Sequence, residues 1–432
     1  MSFTSKYSEE KVQVSEESQI EVLACLPSVR EVKIKATINW SIIHLKDEIC
    51  KEFALEPEYT RLIVDEKVLD ENGTVEGFNL AGKAVTVDYL WARHFLLWTL
   101  EQQRKIRNST VLIAGAGALG NEVAKNLAML GVKRLIIVDF DMVEMSNVSR
   151  MFLFDIEDVG KPKAEVLGAR IAEKYPFVEV YVYTCKLEQL PLENYLMSDV
   201  IVSGLDNIAS RIFLAAIARK YQIPLVDGGT LGHQGRIQVY IPPNAPCPAC
   251  NLPPEKYSEL VNLKNPCDPK ITENKIPTIT TVNSYVASIQ AQETLKIIVG
   301  YEEFQKTGKW PQNTGQPLQG VQIVDLKFDK HTVMKLERNP KCIVCSEKGM
   351  AKPANTSMLS FDDVNGETTI LYDLAKKSIG NDVVLYSLAY TTPRKIELRR
   401  SLKDYKIRRD SFVLAITFGL RDECEETIFK LS

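Results

Sequence analysis

Two Cys-x-x-Cys pairs lie far apart in the chain and constrain how it can fold. Cys247 and Cys250 stand in PCPAC, and Cys342 and Cys345 stand in KCIVC. Two pairs of this spacing form the ligand set of a structural zinc site, so both are predicted to close on one Zn²⁺. Four thiolates leave no open position on the metal, which is therefore expected to clamp the fold rather than to catalyse. Cys267 lies between the pairs and is left as a spare thiol.

The composition is typical of a soluble protein with several domains. The chain has 432 residues, 45% hydrophobic and 25% charged, and this length predicts two to four domains. A formal net charge of −3 provides no basic field for nucleic acid or an anionic membrane. No apolar run approaches the roughly 18 residues of a membrane span. Nine cysteines, four of them in the pairs, favour a reducing cytoplasmic location over a disulfide scaffold. Residues 1–17 are expected to be a disordered tail.

Residues 18–92 carry the pattern of a small β-grasp domain. ESQIEVLACL and REVKIKATI alternate apolar and polar residues around a turn at Pro27-Ser28, which predicts a hairpin. A helix is predicted over residues 41–53, followed by short strands. The segment RLIVDEKVLDENGTVEGFNL resembles the strand–turn–strand region of ubiquitin-like domains. No di-glycine ends this segment, so we expect a docking or regulatory domain rather than a conjugated modifier.

Residues 93–349 alternate strand patterns with amphipathic helices. TVLIAGAG, RLIIVDFD and SDVIVSGLDN are apolar runs that each end in a glycine or polar turn, and helical patterns separate them. Buried strands that alternate with helices predict a parallel sheet covered by helices on both faces. The fold class expected here is therefore a Rossmann-like α/β adenylation domain that carries the zinc clamp.

A glycine-rich turn follows the first of these strands. Gly115, Gly117 and Gly120 form Gly-x-Gly-x-x-Gly between the strand and its helix, where the backbone must turn tightly and approach a nucleotide. Asp139 ends the second strand, where a carboxylate can hold ribose hydroxyls. A nicotinamide dinucleotide site would show the same residues, so these four alone leave both nucleotide classes open.

Residues further along the chain distinguish the two classes. Asn147 and Arg150 follow the second strand closely, and Lys163 stands at the start of a predicted helix in GKPKAEV. A helix N-terminus with lysine and arginine nearby suits a triphosphate better than a nicotinamide. Asp206, in GLDN at the C-terminal end of a strand, is well placed to hold Mg²⁺ beside the phosphates. The sequence therefore predicts an ATP and Mg²⁺ site.

The same stretches resemble the ubiquitin-activating enzyme superfamily, which includes sulfur-carrier adenylyltransferases and the catalytic subunits of modifier-activating heterodimers. The matching stretches are VLIAGAGALGNEVAKNLAMLGV, LIIVDFDMVEMSNVSRMFLF, VGKPKAE, GLDNIASR, DGGTLGHQGRIQVYIP and the two cysteine pairs. The resemblance implies Mg²⁺ at Asp206 and ATP contacts from four side chains. These are Asp139, Asn147, Arg150 and Lys163. Met151 departs from the pattern, since many relatives carry glutamine there.

The resemblance also implies roles for Cys267 and Arg93. Cys267, in NPCDP, stands where modifier-activating enzymes place the cysteine that forms a thioester, although Asp268 and Pro269 follow where many relatives have threonine. A nonessential loop thiol and a buried structural cysteine stay open as alternatives. Arg93, in LWARHFLL, matches the arginine that reaches a partner's active site. Because the superfamily works in pairs, a homodimer or a heterodimer with an inactive partner is expected.

The last part of the chain is predicted to be a third domain. Residues 350–360 have the composition of a linker, and residues 361–432 are expected to form a second small β-grasp (α+β) domain. DYKIRRDSFVLAITFGL resembles the ubiquitin-fold domain that recruits conjugating enzymes. The expected protein is a modifier-activating enzyme that adenylates the C-terminal glycine of a ubiquitin-like modifier. It then forms a thioester on Cys267 and passes the modifier to a conjugating enzyme.

Two other functions are compatible with parts of this pattern. One is a sulfur-carrier-protein adenylyltransferase, against which the predicted C-terminal domain argues. The other is a noncatalytic scaffold that binds modifiers through its β-grasp ends. The intact set of polar residues disfavours a scaffold. That set is Asp139, Arg150, Lys163 and Asp206.

Overall fold

The computed structural model describes residues 19–252, 277–380, 383–418 and 424–432. The chain separates into two units, Met1–Gln103 and Arg104–Ser432. Residues 1–17, predicted as a disordered tail, lie outside the described residues. No helix of the described ranges is long and apolar enough to cross a membrane.

The first unit contains a five-stranded sheet and one long helix. Its elements are β1 (Gln19–Leu26), β2 (Arg30–Thr37), α1 (Ile42–Phe53), β3 (Thr60–Val64), β4 (Lys67–Val68) and β5 (Ala84–Tyr89), with 3₁₀ turns at Pro57–Tyr59 and Ala92–Leu96. The strand order is β2-β1-β5-β3-β4, and β1 and β5 are parallel neighbours. Ser41 caps α1 by accepting a hydrogen bond from the backbone N–H of His44 at 3.2 Å. The predicted hairpin and helix are confirmed, while the likeness to ubiquitin-like domains stays a prediction.

An eight-stranded sheet forms the centre of the second unit. Its strands are β6 (Thr110–Ala114), β7 (Arg134–Val138), β8 (Glu179–Tyr183), β9 (Val200–Ser203), β10 (Leu225–Leu231), β11 (Gln234–Tyr240), β12 (Val321–Asp325) and β13 (Lys330–Met334). Their order in the sheet is β13-β12-β11-β10-β9-β6-β7-β8. Successive residues of β6 face opposite sides of the sheet, and Val111 and Leu112 are both fully buried. Both faces are therefore covered, as the sequence predicts.

The sheet is mixed, so the prediction of a parallel sheet was wrong for its last three strands. Strands β8, β7, β6, β9 and β10 are parallel, but β11, β12 and β13 are antiparallel to their neighbours. The reason is the turn between β10 and β11, where Gly232 has φ +59. Only two residues, 232 and 233, join these strands, and so short a connection permits only antiparallel pairing.

Helices pack around this sheet and include one of exceptional length. They are α2 (Leu100–Asn108), α3 (Ala118–Leu130), α4 (Met145–Val148), α5 (Lys163–Lys174), α6 (Leu192–Leu196), α7 (Ile208–Tyr221) and α8 (Thr280–Thr307), with 3₁₀ turns at Ile156–Asp158, Leu187–Gln189 and Pro248–Asn251. The long helix α8 contacts α3 and strands β9, β10 and β11. On α7, Leu214, Ala215 and Ala218 pack with β6 and β7 side chains and with the four paired cysteines.

A second five-stranded sheet follows near the end of the chain, and we call residues 355–432 the C-terminal module. Its elements are β14 (Asn355–Leu359), α9 (Phe361–Val364), α10 (Thr368–Ile379), β15 (Val384–Ser387), β16 (Arg394–Lys395), β17 (Phe412–Phe418) and β18 (Cys424–Leu431), with a 3₁₀ turn at Leu402–Tyr405. The order is β14-β18-β17-β15-β16, with β14 parallel to β18. The segment predicted as a linker, residues 350–360, thus contains the strand β14.

The C-terminal module packs directly on α6 and α7. Its side chains Leu388, Leu414 and Ile428 form an apolar cluster with residues of these helices. The helix residues in this cluster are Leu192, Leu196 and Tyr221. The ammonium group of Lys220 lies 2.6 Å from a carboxylate oxygen of Glu426, and the backbone N–H of Ala354 donates to the carbonyl of Lys220 at 2.7 Å. Apolar contact, an ion pair and a backbone hydrogen bond therefore join the module to the sheet domain.

Candidate functional site

The glycine turn after β6 leaves the first turn of α3 open for a ligand. Gly115 has φ +96, and a Cβ on Gly120 would stand 1.8 Å from the carbonyl oxygen of Gly115. Only glycine fits these two positions. Gly117 is the N-cap of α3, and among the described residues no side chain caps this helix. A Cβ on Gly117 would meet nothing within 4 Å. The free N–H groups and dipole of such a helix end suit an anion such as phosphate.

Asp139 ties the end of β7 to the glycine turn. One of its carboxylate oxygens accepts the N–H of Ala116 at 2.6 Å, and the other accepts the N–H of Asp141 at 2.7 Å. Burial raises the pKa of Asp139, whereas the Asp141 N–H and the Lys163 charge act in the opposite direction. Because a carboxylate offers about four acceptor positions, Asp139 retains capacity for ribose hydroxyls beside the turn.

Lys163 begins α5, as the sequence predicts. Its ammonium group lies 2.9 Å from a carboxylate oxygen of Asp141, and its side chain is 12% exposed. Its backbone N–H donates to the carbonyl of Asp141 at 2.9 Å. Asp141 thus binds Asp139 through its backbone N–H and Lys163 through its carboxylate. It brings these two predicted ATP contacts together.

Asn147 and Arg150 lie in and after the short helix α4. Asn147 is buried, and its side-chain oxygen accepts the N–H of Glu144 at 2.9 Å, which stabilises the start of that helix. Arg150 is half-buried and donates to the carbonyl of Ser146. Met151, the departure from the family pattern, is buried with 4% exposure. An apolar side chain in the core therefore replaces the expected glutamine.

Asp206 lies at the switch point of the sheet. From strand β6 the chain continues to β7 and β8 on one side, and then returns to β9 on the other. Ligands of open α/β sheets bind where such loops diverge. The loop after β9 contacts the glycine turn, since the N–H of Gly204 donates to the carbonyl of Ala114 at 3.1 Å. Asp206 is exposed on this loop. One free carboxylate next to a phosphate site fits Mg²⁺, which binds through one or two carboxylates together with substrate phosphates.

Arg211 is a residue of this region that the sequence reasoning missed. Its guanidinium contacts the carboxylate of Asp227 and the carbonyl of Leu205, which directly precedes Asp206. Both charged residues stand inside segments that the resemblance covers, GLDNIASR and DGGTLGHQ. The available signal was an aspartate that follows an apolar run and precedes two glycines, since a carboxylate buried in a sheet requires a cationic partner.

The four paired cysteines form one cluster, as predicted. Their Sγ atoms all lie within 4.8 Å of one another and are buried. The distances from Cys247 to Cys250 and to Cys342 are 3.8 and 3.6 Å, and that from Cys250 to Cys345 is 3.4 Å. Four thiolates at about 2.3 Å from Zn²⁺ in a tetrahedron stand roughly 3.8 Å apart, so this donor set fits zinc.

Hydrogen bonds around Cys342 favour the thiolate form of this one member of the cluster. Hydrogen bonds from Cys247 and Cys250 lower the pKa of Cys342, whereas hydrogen bonds within the cluster raise the pKa of those two thiols. The backbone N–H of Val344 points at the Cys342 sulfur, 3.4 Å away. Both contacts stabilise a thiolate, which is the form that binds metal.

Two predicted site residues are not joined to this site by the structure. Arg93 is exposed in the 3₁₀ turn Ala92–Leu96 of the first unit, whereas the glycine turn and its polar partners belong to the second unit. Cys267 lies outside the described residues, as do Asp268 and Pro269.

Comparison with known proteins identifies relatives over the central part of the chain. The sequence model of the ThiF family matches residues 91–344. The NEDD8-activating enzyme E1 catalytic subunit of Arabidopsis thaliana is 28% identical over 306 residues, which cover 54% of this chain and 65% of that protein. The Saccharomyces cerevisiae protein of the same name is 32% identical over 200 residues, covering 44% and 67%. A sulfur carrier protein adenylyltransferase of Thermus thermophilus is 30% identical over 258 residues, covering 57% and 86%.

Solved structures show the same fold. The crystal structure of E. coli MccB with SeMet MccA matches with a TM-score of 0.50 and 22% identity, over 60% of this chain and 75% of that chain. At this identity the likeness concerns the fold alone. The chain spans 65% of the length of the Arabidopsis relative, so the similarity describes a shared central domain rather than the whole of either protein.

Proposed function

Because this chain belongs to the ThiF family, we propose that it uses ATP to adenylate the C-terminal carboxylate of a ubiquitin-like protein. The observation that carries the proposal is the cluster at the switch point of the sheet. There the Asp139 carboxylate borders the N-terminus of α3, which no side chain of the described residues caps. Asp141 joins Lys163 to Asp139, and the loop of the exposed Asp206 contacts the same turn through Gly204. This combination offers separate partners for ribose, phosphate and a divalent cation.

We assign a role to each of these side chains. Asp139 receives the ribose hydroxyls, and the N-terminus of α3 receives phosphate oxygens. Lys163, held by Asp141, and Arg150 offset the negative charge on the phosphates, while Asn147 keeps α4 in place for Arg150. Asp206 would hold Mg²⁺, which when bound neutralises further phosphate charge. Preorganised charges of this kind usually supply most of the rate enhancement in phosphoryl chemistry.

The proposed reaction begins with the modifier's terminal carboxylate. One of its oxygens attacks the α-phosphorus of ATP, the bond from that phosphorus to the bridging oxygen breaks, and pyrophosphate leaves with the electron pair. The product is an acyl-adenylate. In a second step the thiolate of Cys267 attacks the acyl carbon and AMP leaves, which gives a thioester. A conjugating enzyme, recruited by the C-terminal module, then accepts the modifier on its own cysteine.

We further propose that the chain works as a pair, either with a second copy or with an inactive partner. The exposed Arg93 would reach the nucleotide site of the other subunit. The four-cysteine cluster would hold a structural Zn²⁺ that joins the Pro248–Asn251 turn to the segment after β13. This zinc ion would stabilise the fold and would take no part in the reaction.

A sulfur-carrier adenylyltransferase is the second candidate function. The Thermus relative supports it, since the match covers 86% of that protein. Both candidates share the adenylate, and they differ only afterwards. An adenylyltransferase releases the adenylate for conversion to a thiocarboxylate, whereas a modifier-activating enzyme keeps the acyl group on Cys267.

ATP–pyrophosphate exchange tests the shared step. The full-length protein is incubated with ATP, Mg²⁺, labelled pyrophosphate and small β-grasp proteins from the same genome that end in glycine. Exchange should require one of them. A nonreducing gel of the same mixture then shows whether a band of enzyme joined to modifier forms and disappears with reductant. Exchange without that band favours the sulfur-carrier function. Absence of exchange with every candidate, both for the chain alone and with an added ThiF-family partner, contradicts both functions.

A further inference from the structure

The loop that carries Asp206 is anchored by its backbone and not by the Asp206 side chain. Residues 204–207 join β9 to α7. Asp206 is exposed, and within the described part of the chain no hydrogen bond or ion pair holds its carboxylate. On the side of β6, the N–H of Gly204 donates to Ala114 at 3.1 Å. The position of the carboxylate therefore depends on what holds the rest of the loop.

Arg211 holds the other side of this loop. From the first turns of α7 its guanidinium donates to the carbonyl of Leu205, the peptide group that directly precedes Asp206. The same group donates to the carbonyl of Gly228 at 2.9 Å and to the carboxylate of Asp227. One planar group with several donors thus connects the Asp206 loop to the middle of β10.

Asp227 fixes the guanidinium in this arrangement. Its side chain is 1% exposed, and that of Arg211 is 14% exposed. A carboxylate so deeply buried is stable only when it is paired. Arg236 approaches the other carboxylate oxygen at 3.4 Å, and within the described ranges no hydrogen bond or ion pair joins it to the Asp206 loop. A Cβ on Gly229 would stand 2.9 Å from a terminal nitrogen of Arg211, so glycine at this position leaves room for the guanidinium.

We propose that Arg211 is a positioning residue that sets the place of the Asp206 carboxylate beside the glycine turn. It acts through the Leu205 carbonyl, and its effect is on the affinity of a divalent cation bound together with nucleotide. The inference rests on the proposed function. Loss of Arg211 leaves the carbonyl without its charged donor and lets the loop sample other positions. Residues that orient a metal ligand typically change metal affinity by roughly 10–100-fold.

The test measures binding by the full-length protein and requires no modifier. Electron paramagnetic resonance follows Mn²⁺ binding in the presence of a nonhydrolysable ATP analogue, and calorimetry follows AMP binding without metal. The variants are Arg211→Met, Arg211→Lys and the matched control Arg236→Met, which removes a cation from the same Asp227. Asp206→Asn is combined with Arg211→Met to determine whether the two side chains act through one another.

Arg211→Met should weaken Mn²⁺ binding at least about tenfold and leave AMP binding nearly unchanged. Arg236→Met should change neither. Lysine reaches fewer of the three acceptors, so Arg211→Lys should show a smaller loss. In the Asp206→Asn background, Arg211→Met should add no further loss. Additive losses, or normal Mn²⁺ affinity in Arg211→Met, would overturn the inference.

Two outcomes separate this inference from the proposed function. A wild-type protein that binds neither AMP nor the Mn²⁺–nucleotide complex would overturn the proposed function, and this inference with it. If Arg211→Met also loses AMP binding, its folding is impaired and Arg211→Lys decides. Reduced Mn²⁺ affinity with normal AMP affinity in Arg211→Lys supports the positioning role, and unchanged Mn²⁺ affinity contradicts it.

Discussion

Gly117 and Gly120 lie in one turn, yet the space around them differs. Gly120 has no room for a methyl group, because the added carbon would stand 1.8 Å from the Gly115 carbonyl oxygen. Gly117 faces open space and has φ −71, which alanine adopts without strain. One glycine is thus required by the packing of the turn. The other keeps clear the volume in which we propose that the nucleotide binds.

Alanine substitutions should separate these two roles. We expect Gly120→Ala to destabilise the protein by about 3 kcal/mol or more, because the backbone must shift to relieve the overlap. Gly117→Ala should cost less than about 1 kcal/mol of unfolding free energy. It should weaken AMP binding at least about tenfold, because the added methyl group occupies part of the volume proposed for the nucleotide. Urea unfolding and calorimetric AMP titration measure the two effects. Equal AMP affinity in Gly117→Ala and the wild type would contradict a nucleotide site at this turn.

Cys267 provides a second prediction at this scale. Cys267→Ala should retain modifier-dependent ATP–pyrophosphate exchange, since the adenylate forms without a thiol, but should lose the reducible band of enzyme joined to modifier. Cys185→Ala is the matched control, because burial raises the pKa of the Cys185 thiol and makes it a poor nucleophile at neutral pH. A thioester that persists in Cys267→Ala and vanishes in Cys185→Ala would reverse the assignment.

The role of a single residue was predictable from the sequence where it depends on neighbouring residues in the sequence. Asp139 and Lys163 stand at the end of a strand and the start of a helix, and apolar periodicity locates both boundaries. Arg211 was not predictable in this way. Its role depends on Asp227, which lies on a different element, β10. Helical periodicity does not reveal which carboxylate an arginine contacts. The sequence motifs therefore identified the candidate ligand-binding residues, but not Arg211, which holds the loop of Asp206.

Elements were predicted well where a pattern is repeated, and less well where pairing depends on a turn. The strands of the parallel half follow from apolar runs alone. The direction of β11 depends on the connection across residue Gly232, and a buried apolar run looks alike in parallel and antiparallel sheets. The mixed sheet was therefore outside what periodicity could decide.

The cysteine cluster makes a prediction that concerns two elements together. Cys247 and Cys250 belong to the turn Pro248–Asn251 and its flank, and their thiols lie in one apolar cluster with α7 residues. Protein purified without chelators should contain about one zinc per chain. Cys342→Ser should reduce the zinc content and lower the urea midpoint of unfolding, because metal binding contributes to folding.

Cys50→Ser provides the control for this experiment, since Cys50 is buried in the first unit and is no member of the cluster. It should change the midpoint without changing the zinc content, which elemental analysis measures. Protein that contains no zinc, or a Cys342→Ser variant that retains a full equivalent, would contradict the four-cysteine assignment.

At the scale of the whole molecule, the position of the C-terminal module was not predictable. Its sheet carries apolar residues on two faces, and one of them packs on Leu192, Leu196 and Tyr221 of the sheet domain. Sequence pattern shows that a face is apolar but does not name the surface that covers it. The contact has a consequence for experiment, because removal of the module exposes these three side chains to water.

The role of the C-terminal module gives the last prediction. A chain that ends before Asn355 should retain modifier-dependent ATP–pyrophosphate exchange and the thioester, because every residue that we assign to those steps precedes the module. Transfer to a conjugating enzyme should be slowed at least about tenfold, because the truncated chain lacks the proposed docking surface.

The truncated chain carries Leu192→Ser and Leu196→Ser, so that its uncovered face does not drive association. The full-length chain with the same two substitutions is the matched control, and single-turnover transfer is measured for both on nonreducing gels. If both transfer at the same rate, the module does not recruit the conjugating enzyme; if the truncated chain also loses exchange, the module supports the fold of the adenylation site.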